Sequence, residues 1–88
     1  MQAPALPPAE MTALFSQVMR NQYARWADEE VPLLGNRTPR QAIATAGGLE
    51  RVKGLLREYE ANEAQLAARD GRGAVSFQFL WDALGIAR

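Results

Sequence analysis

The residues able to do chemistry in this sequence are few, and their spacing assembles none of the usual catalytic groupings. Histidine and cysteine are both absent, so no imidazole base, thiolate nucleophile or Cys/His zinc set can be built. The hydroxyls of Ser16 and Ser76 have no activating partner nearby in the pattern. Ser16 falls in the middle of a helical pattern and Ser76 at a helix start, where a serine oxygen accepts a backbone N–H. Carboxylates are dense only at Asp28-Glu29-Glu30 and at Glu58, Glu60 and Glu63, which read as a helix end and a solvated helix face. A calcium loop would need an oxygen ligand where Asp70-Gly71-Arg72-Gly73 has an arginine. Gly47-Gly48 lacks the lysine and the spacing of a phosphate loop. The expectation is a chain that is not an enzyme, with no catalytic residue, no cofactor and no bound metal.

Charge narrows the partners. Ten basic residues balance ten acidic ones, so no broad phosphate-attracting field exists. Arg37, Arg40, Arg51, Lys53 and Arg57 cluster in the middle of the chain, but Glu50 and Glu58 interrupt them and no basic recognition helix follows, so nucleic acid is not the expected partner. No apolar run approaches the length of a membrane span, and the first residues lack the basic-then-apolar order of a secretion leader. The absence of cysteine fits a reducing compartment. A cytoplasmic protein that does not enter the membrane is expected.

The elements that hold these residues follow from periodicity. A chain of 88 residues suffices for one modest core. Closely spaced prolines make residues 1–8 a proline-rich arm or linker, leaving 9–88 as a single helical domain. A first helix starts near Pro8, with Met11, Leu14, Phe15, Val18, Met19, Tyr23 and Trp26 on one face. Val31 to Arg37 reads as a turn, since Pro32 cannot continue a helix and Gly35-Asn36 favours positive φ, with Val31, Leu33 and Leu34 plugging the core. Thr38-Pro39-Arg40-Gln41 combines a threonine cap, a first-turn proline and a glutamine three residues on, the signature of a capping box. That helix is short and buries Ala42 and Ile43, because Thr45-Ala46-Gly47-Gly48 brings a new cap and a flexible break.

A long helix follows, with Leu49, Val52, Leu56, Tyr59, Glu63 and Leu66 at three- and four-residue steps. Trp26 and Ile43 are expected over its first half. Tyr59 and Leu66 are the residues expected to form a homodimer seam, provided that Glu63 between them finds an arginine such as Arg69 or stays at the rim. After a glycine turn, Ser76 caps a last helix with Phe77, Leu80, Trp81 and Leu84 on one side, and Gly85 stops it. The fold expected is all-α, a small four- to five-helix domain with a short capped helix between two longer ones.

Three pieces of the middle of the chain carry a family pattern: Trp26; then Pro32-Leu33-Leu34-Gly35-Asn36-Arg37-Thr38-Pro39; then Thr45-Ala46-Gly47-Gly48-Leu49-Glu50-Arg51-Val52. Together they resemble the toxin-binding domain of the MbcA/ParS/Xre antitoxin family, with its tryptophan, proline, LGG-x-TP turn and T-x-x-G-x-x-x-V step into a longer helix. Asn36 stands where the pattern has its second glycine, at a turn position that tolerates it. The resemblance spans residues 26–56. It implies a helical domain that docks on a toxin, commonly of the NAD-degrading RES class, and neutralises it. Members that repress their own operon carry a DNA-binding helical region ahead of this domain, whereas here a single helix follows a proline-rich stretch, so autorepression is not expected. The expected partner surface is the C-terminal helix and tail, at Phe79, Trp81, Gly85 and Arg88, because Phe79 stands off the apolar stripe of its helix. The alternative is a self-associating adaptor domain at the end of a larger protein.

Overall fold

The computed structural model describes residues 7–88. The proline-rich arm expected over residues 1–8 therefore lies, up to residue 6, outside the described residues. The rest is all-α: four helices, α1 (Pro8–Gln22), α2 (Pro39–Ala42), α3 (Ala46–Asp70) and α4 (Gln78–Leu84), joined by two 3-10 turns at Trp26–Asp28 and Pro32–Leu34. Among the described residues there is no strand, only an isolated antiparallel bridge between Val31 and Arg37.

α1 opens with Pro8 in its first turn, where the missing N–H is no loss, and Glu10 faces the positive end of the helix dipole. It ends at Gln22, short of Trp26, which belongs to the first 3-10 turn. In that turn the adjacent Trp26 and Ala27 are both buried in the core. α2 is a single turn closed by a full capping box: Thr38 Oγ1 accepts from the Gln41 N–H (3.1 Å) and Gln41 Oε1 from the Thr38 N–H (3.0 Å).

α3 begins at Ala46, capped by Thr45, whose hydroxyl accepts from the Gly48 N–H. Gly47 and Gly48 are thus helical, not a flexible break. Gly48 is needed because a Cβ there would lie 1.9 Å from the Ala42 carbonyl oxygen; the end of α2 and the start of α3 touch backbone to backbone. Gly71, left-handed at φ 69°, terminates α3. At 25 residues it is about 37 Å long, which makes the molecule a rod of 53 × 21 × 20 Å.

The two halves of that rod are unlike. Around the first half of α3 lies the core, in which Trp26, Leu34, Val52, Leu56, Phe77 and Trp81 meet, with Ile43 packed at its edge. Burying each such side chain contributes about 1.5–3 kcal/mol. Around the second half the structure is only an arm. Thr12 of α1 binds the Gly73 N–H just beyond the end of α3, while Tyr23 meets Tyr59 at 5.8 Å between ring centroids, so α1 runs antiparallel to α3. Yet α1 buries none of its residues. The segment after Gly71 returns along this arm to α4. The N-terminal cap position of α4 is Phe77, one residue after the expected Ser76, although the Ser76 hydroxyl does accept from the Gln78 N–H. Phe77, Leu80, Trp81 and Leu84 all face the core.

Candidate functional site

Residues 31–37 form a closed loop. The Val31 N–H donates to the Arg37 carbonyl (3.0 Å) and the Asn36 N–H to the Val31 carbonyl (3.2 Å), and Gly35 and Asn36 both take left-handed φ, 68° and 60°. Two successive left-handed residues reverse the chain, which suits glycine and asparagine. Within the loop Leu34 is buried and Val31 half-buried. Leu33 instead points outward, 71% exposed. A single 3-10 turn spans Pro32–Leu34, and its sides diverge, so three neighbouring apolar residues cannot all face the core. The expectation that Leu33 plugs the core is corrected accordingly.

Two shallow clefts flank this loop and share Leu34 and Arg51. One is lined by Gly35, Arg37, Thr45 and Gly48, and the other by Leu33, Gly54, Leu55 and Glu58. The surface therefore offers one projecting aliphatic side chain, an apolar floor, two arginines and a glutamate. On either side of the loop, the Asp28 carboxylate accepts from Arg40 Nε at 2.8 Å. That hydrogen bond, with the nearby arginine charges, holds Asp28 below the usual carboxylate range.

The residues singled out at the C-terminus lie elsewhere. Trp81 is completely buried, its Nε1 without a hydrogen-bond partner, and the guanidinium carbons of Arg88 and Arg57 stand 5.0 Å and 6.0 Å from its ring centroid. Phe79 is half-buried, stacked on Phe77 at 6.2 Å. Gly85 is the left-handed stop of α4. Arg88 is held by the Glu60 carboxylate and by Gln78. Trp81 thus has no surface to offer a partner, and Arg88 already has one within the chain. Tyr59 is half-buried among Tyr23, Trp26 and Phe77, whereas Leu66 is exposed beside a groove between α1 and α3.

Glu63 is neither at a rim nor paired with Arg69. Its carboxylate accepts two hydrogen bonds from Arg72, at 2.5 and 3.0 Å, and a third from the Val75 N–H at 2.8 Å. The hydrogen bonds from Arg72 lower its pKa against the opposing effect of burial. Arg69 lies outside, near Asp70. The Arg72 guanidinium also caps the Phe15 ring at 4.4 Å. Among the described residues no cluster of three or more acidic side chains could hold a metal ion, and no helix is long and apolar enough to cross a membrane. Comparison with known protein families, curated proteins and solved structures finds no match for this chain.

Proposed function

We propose that this chain is a non-enzymatic, antitoxin-type domain that docks on and neutralises a toxin, with the NAD-degrading RES class as the partner and the surface around Leu33 as the point of contact. The observation that carries this reading is Leu33 itself, a large aliphatic side chain 71% exposed on a loop whose backbone is closed by its own hydrogen bonds. An isolated exposed leucine is unremarkable on a mobile segment. On a fixed loop between two clefts it is a preorganised anchor that loses little freedom on binding. Arg51 in the same cleft as Leu33 and Arg37 in the neighbouring one add planar donors that pair with carboxylates in two-point fashion. The sequence pattern shared with the antitoxin family supports the reading further, because its turn, cap and helix-start pieces are the ones that build this surface. A cytoplasmic setting belongs to the same proposal, since NAD-degrading chemistry acts there.

The test is calorimetry and NAD-protection with a RES-type toxin, using the wild type, Leu33→Asp, Arg51→Glu and Phe79→Ala. Leu33→Asp and Arg51→Glu should each weaken binding tenfold or more without lowering the thermal midpoint, and Phe79→Ala should weaken it less. A dominant effect of Phe79→Ala with intact folding would move the contact to α4. A wild type that neither binds the toxin nor spares NAD would overturn the proposal.

A further inference from the structure

The arm at the other end of the rod has an apolar face that nothing among the described residues covers. On α1, Leu14 and Val18 are 53% and 41% exposed, and on α3 Leu66 is 40% exposed. The spacing on the two helices is the same. Met11, Leu14, Val18 and Asn21 follow one another at steps of three, four and three residues, and Asn62, Leu66 and Arg69 at steps of four and three. Steps of this kind mark the a and d positions of a helical seam. Thr12, whose hydroxyl binds Gly73, and Glu63, which binds Arg72 and Val75, face the returning segment instead, so that segment lies on one side of the helix pair. The positions of Leu14 and Val18 on α1 lie about 120–160° around the helix from Thr12 at 100° per residue, on the side left open.

We propose that this face pairs with its counterpart on a second copy of the chain, two helices against two, as a four-helix bundle. The occupant follows from charge and size. The groove along Leu66 is bordered by the neutral amides Asn62 and Gln65 and by one cation, Arg69, so like surfaces meet little repulsion. Glu10 near the start of α1 and Arg69 near the end of α3 put both signs at the same free end of the arm, and a patch holding both signs is complementary to itself across a two-fold axis. A nucleic acid or an anionic membrane would call for cations alone. The face is about 22 Å long, the length of α1, and about 20 Å wide for two helices side by side, about 440 Å² in projection and so about half of the roughly 800 Å² per partner of a standard interface, which fits a weak, concentration-dependent dimer. Asn21 and Asn62 in the seam are amides that fix register between helices.

Sedimentation equilibrium of the full chain, without toxin, tests this directly. The wild type should approach twice 9.7 kDa with rising concentration. Val18→Glu and Leu66→Glu should each raise the dimer dissociation constant at least tenfold with helical circular dichroism retained, and the milder Val18→Ala should weaken it less. Leu33→Asp, at the opposite end, should leave the dimer intact. A wild type that stays at 9.7 kDa up to millimolar concentration overturns the proposal, as does a dimer indifferent to all three changes in the arm. A wild type that dimerises only after residues 1–6 are removed gives the face to that segment, and toxin binding lost in Val18→Glu from a monomeric wild type gives it to the toxin; either result also overturns it.

Discussion

Arg72 holds the Glu63 carboxylate with both of its terminal nitrogens, and each side chain is only 2% exposed. Nine residues separate them, across the turn that ends α3, so this pair locks the returning segment against the arm. Fully desolvated charges are tolerated only when matched, and here the Val75 N–H supplies one further bond to the carboxylate.

Removing one partner strands the other. Glu63→Leu should destabilise the protein by about 3–5 kcal/mol, read from urea or thermal unfolding. Replacing both residues, Glu63→Leu with Arg72→Met, should recover much of the loss, because an apolar pair leaves no buried charge. A double variant as unstable as the single would show that the bonds outweigh desolvation.

The same pair sets a pH dependence. The folded-state pKa of Glu63 lies below its unfolded value, so its contribution to stability is fully present above the ordinary glutamate value of about 4.3. It is lost as pH falls through that value toward the depressed one. The thermal midpoint of the wild type should therefore fall more steeply below pH 4 than that of the apolar double variant.

Adjacent glycines should respond in opposite directions. Gly48→Ala drives a Cβ into the Ala42 carbonyl and should cost about 1–3 kcal/mol. Gly47→Ala meets nothing within 4 Å and should stabilise the helix by about 0.5 kcal/mol. Denaturant melts of the two variants check the sign of each.

Thr38→Ala removes half of a complete capping box and should lower stability by about 1 kcal/mol. Trp81→Ala empties the centre of the core and should cost about 3–5 kcal/mol, well beyond Phe79→Ala at its half-exposed site. Urea midpoints at matched m-values distinguish the three.

Local chemistry was legible in the sequence, and relations between distant residues were not. The capping box at Thr38 and Gln41, the stops at Gly71 and Gly85, and the buried side of α4 each depend on neighbours within four positions, where helix geometry alone dictates the contact. Glu63 announced that it needed a cation, but the choice of Arg72 over Arg69 depends on the path of the chain after Gly71. Leu33 carried a weak signal, as the middle of three apolar residues in a turn too tight to bury them all. The gap between α1 and a full core could not be read, because the apolar stripe of α1 looks the same whether its other side meets its own chain, another copy or water.

α1 is attached through the side chains of Thr12, Phe15 and Met19, while the body around Trp81 is sealed. Because α1 buries none of its residues, it is expected to open as a weaker cooperative unit than the body. In native-state hydrogen exchange the amides of α1 should exchange through local detachment at low denaturant, ahead of those of Val52 and Leu56, which should wait for global unfolding. The Tyr23–Arg25 stretch between Gln22 and the Trp26 turn is the hinge on which the first helix would swing away from an otherwise intact molecule.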